Sequence, residues 1–222
     1  MEKTKILWSG ITGKTGVQSL RVSKKCDFAE IVAGISRSDS KYYNYEQLDN
    51  IKEEFDVVVD FSHKDSFDKV LDFALKVKKP LVIGTTGLTI EQESRIKEAS
   101  KIIPIFKGGN FRFSVKDFID KVIQYAKNID NDLILIETHY KTKKIPSETA
   151  KEIAKLVLKE TGNKVVIKSF LEYDEMINDW RIGPLHCRVN SFDNELAECV
   201  LKISSLLKNK EPDGVYTLSK LI

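Results

Sequence analysis

The sequence predicts an α/β fold: a Rossmann-like, doubly wound parallel sheet with a second, smaller α+β domain. Three observations carry this. Short apolar runs alternate with helical periodicities through the first half of the chain, the pattern of βαβ units. The run Phe55–Phe61 (FDVVVDF) is β-branched and apolar, as a strand buried on both faces should be. A glycine-rich turn, Gly10–Gly16, joins the first apolar run to the first helical one.

Each element follows in order. Lys5–Ser9 (KILWS) is a short strand, and Thr15–Val22 reads as the helix after the glycine turn. Glu30–Ile35 (EIVAGI) is a second strand and Phe55–Phe61 a third. Ser62–Lys76 has helical spacing, with Phe67, Val70, Leu71 and Ala74 on one side. Pro80–Ile83 is a strand, Ile90–Ser100 a helix and Ile102–Phe106 a fifth strand. The character changes near Asn110. Phe113–Ile129 is one long amphipathic helix, Asp132–His139 a strand, and Ser147–Thr161 a helix. Lys164–Tyr173 and Leu185–Ser191 are strands, and Phe192–Lys208 is a final long helix before a tail that opens on Gly214-Val215-Tyr216. This pattern divides the chain into a first domain of residues 1–110 and a second of 111–208.

Composition narrows the function classes. The 222 residues are 41% hydrophobic and 31% charged, an ordinary balance for a soluble chain long enough to bury a core. The 36 basic residues nearly cancel the 33 acidic ones, and no basic block points to nucleic acid. The net charge of +3 suits a small anionic substrate. The amino-terminal apolar run is too short for a signal peptide, and no run approaches a membrane span. Cys26, Cys187 and Cys199 are odd in number and widely spaced, which is neither a disulfide framework nor a metal set and points to a reducing cytoplasm. No EF-hand or zinc spacing is present, so no metal is expected. A P-loop would need glycine where Trp8 stands.

Gly10-Ile11-Thr12-Gly13-Lys14-Thr15-Gly16 places glycines at the first, fourth and seventh positions of the first βα turn. The first permits a tight turn, the second lets backbone approach a pyrophosphate, and the third lets helix pack closely on strand. The helix N-terminus offers N–H groups and a positive dipole end, and Lys14 adds charge. The second strand ends Ile35-Ser36-Arg37-Ser38, with no carboxylate to accept from a ribose 2′-hydroxyl. Arg37 can pair instead with a 2′-phosphate, which favours NADPH while leaving NADH possible.

Further stretches lie at the carboxyl ends of strands, where open α/β sheets bind ligands: Asp60-Phe61-Ser62, Val82–Gly87 (VIGTTG) and Gly109-Asn110-Phe111. Together with GITGKTG, with ETHYKTKKIPSETA at 137–150, and with Gly214–Leu218 in the tail, they resemble in order the motifs of the dihydrodipicolinate reductase family, also called 4-hydroxy-tetrahydrodipicolinate reductase, of diaminopimelate and lysine biosynthesis. The resemblance touches most of the chain. It implies a dinucleotide-binding first domain to which the tail, about 209–222, returns, and a second domain for substrate binding and oligomerisation. Gly10, Thr12, Gly13, Lys14, Thr15 and Gly16 would hold the pyrophosphate and Arg37 the 2′-phosphate. Gly84, Thr85 and Thr86, with Gly109, Asn110 and Phe111, would line the nicotinamide side. His139 matches the family's catalytic histidine and Lys143 its lysine. Tyr140, Ser147, Glu148 and Thr149 fall where the substrate carboxylate binds.

The sequence departs from the family there. Tyr140 replaces a second histidine, Glu148 replaces a glycine, and the segment Lys143–Pro146 lacks one residue and an aspartate. The implied reaction reduces a cyclic imine dicarboxylate, dihydrodipicolinate or its 4-hydroxy-tetrahydro precursor, to tetrahydrodipicolinate with NADPH. His139 is then the general acid/base and Lys143, or in its place Lys144 or Lys141, the electrostatic partner. The alternatives are a reductase of another small imine or keto acid and a non-catalytic NADPH-binding regulator. His139 could also end its strand as a merely polar residue, and His63 and His186 read as structural. The family's habit implies a homo-oligomer, tetramer or dimer, through the second domain's sheet.

Overall fold

The computed structural model describes residues 2–221. They form two compact units: the described residues up to Phe111 together with those from Asn194 onward, and Arg112–Asp193.

The first unit is built on a six-stranded parallel sheet in the order β10-β5-β4-β3-β1-β2. Its strands are β1 (Thr4–Ser9), β2 (Ala29–Ile35), β3 (Val57–Asp60), β4 (Leu81–Ile83), β5 (Ile105–Lys107) and, from the tail, β10 (Val215–Tyr216). The predicted fold class is the observed one. Successive strands run outward to β2 and then return past β1 to β3, so the direction of winding reverses between β1 and β3. That crevice is where open α/β sheets take ligands. Ile35, Ser9, Asp60, Ile83 and Lys107 stand in register across the sheet, so the loops after five strands emerge along one edge.

Helices cover both faces. α2 (Lys64–Val77) and α3 (Ile90–Ala99) bury Phe67, Val70, Leu71, Ala74 and Ile96 against Leu7, Val58, Leu81, Ile83 and Ile105. The alternate strand residues Ile6, Val57, Val59 and Val82 are equally buried but lie outside that cluster, on the face taken by α1 (Lys14–Ser23) and α6 (Asn194–Leu207). Full burial on both sides is why these strands read as continuous apolar runs. His63 caps α2 through Nδ1, which accepts from the Asp65 amide at 3.3 Å, and Thr89 and Gln92 form a capping box at α3.

The assignment of α6 corrects the expected boundary. The sequence reading gave 111–208 to the second domain, but α6 packs on α1 and on strands β1, β2, β3 and β5 of the first unit. Thr4 Oγ1 meets Ser205 Oγ at 3.0 Å, and the Lys208 ammonium meets Asp56 at 2.9 Å. An amphipathic helix announces that it needs an apolar partner but not which sheet supplies it. The fifth strand also starts later than expected. Ile102 is exposed in the turn after α3, and pairing begins only after Pro104, which has no N–H for a ladder.

The second unit carries a four-stranded mixed sheet in the order β7-β6-β8-β9. Its strands are β6 (Leu133–Tyr140), β7 (Val165–Tyr173), β8 (Ile177–Ile182) and β9 (Leu185–Asn190). β6 and β7 are parallel and joined by α5 (Glu148–Thr161), while β8 and β9 run antiparallel beside them. α4 (Phe113–Ala126) and α5 cover one face, packing Phe118, Val122, Ile153 and Val157 on Leu135, Trp180, Ile182 and Val189. Strand β8 was not expected from the sequence. Asn178 and Asp179 have low strand propensity, and pairing on two sides makes the segment a strand. The Gly183 turn that joins it to β9, with φ of 53°, was the available signal.

Candidate active site

In the first unit the glycine turn forms a cradle. Gly10 has φ of 78°, and a Cβ there would stand 2.2 Å from the Phe61 carbonyl oxygen, in the crevice between β1 and β3. A Cβ on Gly16 would stand 2.5 Å from the carbonyl oxygens of Gly10 and Ile11, so only glycine lets α1 sit this close to the turn. Gly13 is the N-cap of α1, with no side-chain cap and no acidic residue in the first turn. A helix start free of competing carboxylates is a good anion site. Thr12 is exposed, and its hydroxyl lies 3.1 Å from that of Ser36, which ties the glycine turn to the end of β2. Ser36 also accepts from the amides of Ser38 and Asp39 at 3.3 Å. This leaves Arg37 exposed at the strand end, with no carboxylate paired to it among the described residues.

The loops beyond β3 and β4 are locked together by Asp60, which is fully buried. Thr85 Oγ1 donates to its carboxylate at 2.6 Å and accepts from the Ser62 amide at 2.9 Å, while the Gly84 and Thr85 amides donate to its carbonyl. Burial pushes the Asp60 carboxyl up. Thr85 is therefore buried in the loop's own bonds, whereas Thr86 is exposed. Gly84 lies under the Phe61 ring, where a Cβ would come within 2.3 Å. Phe61 stacks on Trp8 at 5.4 Å and meets Phe111 at 5.1 Å. Phe111 is buried in this aromatic group, while Gly109 is exposed beside it and Asn110 half-buried.

In the second unit β6 alternates, burying Leu133, Leu135, Glu137 and His139 on its helix side. Glu137 and His139 therefore point the same way, and neither has accessible surface. His139 Nε2 stands 2.9 Å from Glu137 Oε2, and its ring meets Trp180 edge-on at 5.5 Å. Ser147 is the N-cap of α5. Its Oγ accepts from the Ala150 amide at 3.1 Å and from Trp180 Nε1 at 3.3 Å, and donates to Glu137 Oε2 at 2.6 Å. The Ser147 amide and Ser169 Oγ donate to Glu137 Oε1 at 2.9 Å and 2.5 Å. Burial alone would raise the Glu137 carboxyl, but bonds from His139, Ser147 and Ser169 outweigh it and hold the group at about 2. Glu137 is thus an ionised carboxylate seated at the start of α5.

Lys143 is half-buried after β6, its ammonium 5.7 Å from the centre of the Tyr140 ring. Burial lowers its pKa and the Glu137 charge works against that. Tyr140 lies half-buried on the strand's opposite phase, and burial raises its phenol. Lys141 is exposed and bound to Asp174 at 2.7 Å. Glu148 is exposed and paired with Lys151 at 2.7 Å, one helical turn on, so its charge lies on the solvent side of α5 while Thr149 is buried. The structure therefore gathers His139 and Ser147 around Glu137, which the sequence reading missed, and Lys143 feels its charge. The signal for Glu137 was its place two residues before His139 in an alternating strand, which puts both on one face.

The comparisons agree with this architecture. Residues 4–111 match the family model described as "Dihydrodipicolinate reductase, N-terminus". A 4-hydroxy-tetrahydrodipicolinate reductase of Clostridium novyi is 33% identical over 187 residues, covering 81% of this chain and 70% of that protein. One from Wigglesworthia glossinidia brevipalpis is 34% identical, covering 74% and 69%. The chain belongs to the 4-hydroxy-tetrahydrodipicolinate reductase family. A further family member, from Caldanaerobacter subterraneus, is 36% identical over 68% of this chain, but the match spans only 61% of that relative's length. The fold likeness extends further than the sequence likeness. A dipicolinate-bound dihydrodipicolinate reductase from Paenisporosarcina sp. TG-14 superposes with a TM-score of 0.72 at 16% identity, covering 97% of this chain and 98% of that one.

Proposed function

We propose that this chain reduces a cyclic imine dicarboxylate, dihydrodipicolinate or its 4-hydroxy-tetrahydro precursor, to tetrahydrodipicolinate in diaminopimelate and lysine biosynthesis, with NADPH as the preferred reductant. The observation that carries the reading is the grouping of His139, Glu137 and Lys143 at the start of α5 in a member of this family. The reductant supplies hydride. The chain's own residues do the rest: the Gly10–Gly16 turn and the start of α1 receive the pyrophosphate, with Thr12, Lys14 and Thr15 beside it, and Arg37 receives the 2′-phosphate. Thr86, Gly109 and Asn110 present polar groups along the sheet edge that the nicotinamide would use. His139 delivers the proton that the reduced ring needs. Lys143 stabilises substrate carboxylate charge, while the start of α5 is already taken by the Glu137 carboxylate.

Self-association through the second unit's sheet belongs to the same proposal. Its uncovered face displays Ile134, Ile136, Val166 and Phe170, each between 40% and 52% exposed. Lys168 and Arg181 flank Ile136 on the same face, and a second copy would cover the apolar side chains between them. A cytoplasmic setting belongs to the same proposal, because three widely spaced cysteines, odd in number, form no disulfide framework. One observation favours a second substrate: Tyr140, where the family has histidine, brings no positive charge, which suits another small imine or keto acid. NADPH oxidation with freshly generated dihydrodipicolinate precursor, compared with pyruvate-type keto acids, decides between them. Loss of turnover by orders of magnitude in His139→Ala and in Lys143→Ala is the expected result. Absence of turnover in the wild type while NADPH still binds would overturn the proposal.

A further inference from the structure

We infer that Glu137 is a positioning residue that fixes His139 with its proton on Nε2, leaving Nδ1 as the atom through which the ring takes and gives a proton. The inference rests on the acid/base reading of His139 given above and assigns to it a partner and an atom.

The hydrogen-bond inventory forces the assignment. Glu137 is ionised and can only accept. Both of its oxygens are engaged: Oε1 by the Ser147 amide and Ser169 Oγ, Oε2 by Ser147 Oγ and His139 Nε2. Ser147 Oγ already accepts from Ala150 and Trp180, so it must donate to the carboxylate rather than receive from it. Every neighbour of Glu137 is therefore a donor, and Nε2 must carry hydrogen. A ring held this way has one nitrogen, Nδ1, that is buried with no protein partner. When Nδ1 releases its proton, that N–H bond breaks, its electron pair stays on the ring, and the neutral imidazole keeps its Nε2 proton against Glu137. His139 has no accessible surface in this structure, so the proton passes to the electron-rich ring carbon of the reduced substrate, and is restored from solvent, only when Nδ1 is uncovered. Carboxylate-oriented imidazoles gain both a fixed tautomer and a stabilised cation from such a contact.

Glu137→Gln is a demanding test because the amide cannot satisfy this set of donors. The Ser147 amide cannot turn round, so the glutamine oxygen has to take the Oε1 position and its NH2 group the Oε2 position, facing His139. Nε2 must then accept, and the ring proton moves to Nδ1. The variant should thus invert the tautomer. With three histidines in the chain, ring-nitrogen NMR of histidine-labelled protein can be assigned with His63→Gln and His186→Gln. The expected wild-type spectrum shows Nε2 protonated and Nδ1 bare in the neutral ring, and Glu137→Gln shows the reverse. In steady-state assays kcat should fall roughly 100-fold or more, with KM for the dicarboxylate little changed. A wild-type ring protonated on Nδ1 would overturn the inference without any variant having to fold. So would a Glu137→Gln protein that keeps the wild-type tautomer, or one that keeps full kcat. If the wild type turns over no dicarboxylate, the functional proposal fails, while the tautomer pattern still judges Glu137 by itself.

Discussion

Glu137 also makes a prediction about stability. Its carboxyl is held at about 2, against an ordinary value of 4.5. Because the folded value lies below the unfolded one, the unfolded chain takes up the proton first as pH falls. The stabilisation is fully present above the unfolded value and is lost as pH drops toward the folded one. At about 1.4 kcal/mol per tenfold change, the difference contributes up to about 3 kcal/mol at neutral pH. Glu137→Gln removes this carboxylate and strands one donor. Its deficit should therefore be about 3 kcal/mol at pH 7 and shrink steadily toward about pH 3. Trp180 reports on this unit directly, since its indole bonds Ser147, and a Trp8→Phe background removes the tryptophan of the first unit. Urea unfolding followed by Trp180 fluorescence at stepped pH gives the two curves. The other carboxylates titrate in both proteins and cancel in the difference. A gap that stays constant from about pH 6 to about pH 3 would refute the reasoning, because Glu137 would then not be an ionised, four-bonded carboxylate.

Four further outcomes are expected. Gly16→Ala should destabilise the first unit by roughly 1–3 kcal/mol despite alanine's better helix propensity, because the new Cβ meets backbone that cannot yield, and should weaken NADPH binding at the same turn; calorimetry and NADPH titration should show the two losses. Arg37→Ala should weaken NADPH by roughly 10–100-fold, the worth of a charged hydrogen bond, and leave NADH binding unchanged in a fluorescence titration. Ser147→Ala should lower stability by about 1–2 kcal/mol through loss of the α5 cap, with a further loss from the Glu137 bond, seen by chemical denaturation. Phe170→Glu should shift the protein to a smaller species in analytical ultracentrifugation, and an unchanged sedimentation coefficient would remove the proposed self-association face.

The sequence by itself determined whatever depends on neighbours along the chain. The doubly buried strands, the glycine spacing at 10, 13 and 16 and the Ser147 cap are local patterns, because backbone sterics and side-chain periodicity act over a few residues. The tertiary structure alone decided which distant surfaces meet. It gave α6 to the first unit, made a strand of Asn178–Arg181 by pairing it on both sides, turned Glu148 outward to Lys151, and set Asp60 to hold the loop at Thr85. Above all it brought Ser147 and Ser169 onto Glu137 across a parallel crossover. Hydrogen-bond donors separated by 10 and 32 residues carry no mark in the sequence that they share one carboxylate. Only the closing of β6, α5 and β7 into one layer supplies that charge with its partners, and with them the orientation of His139.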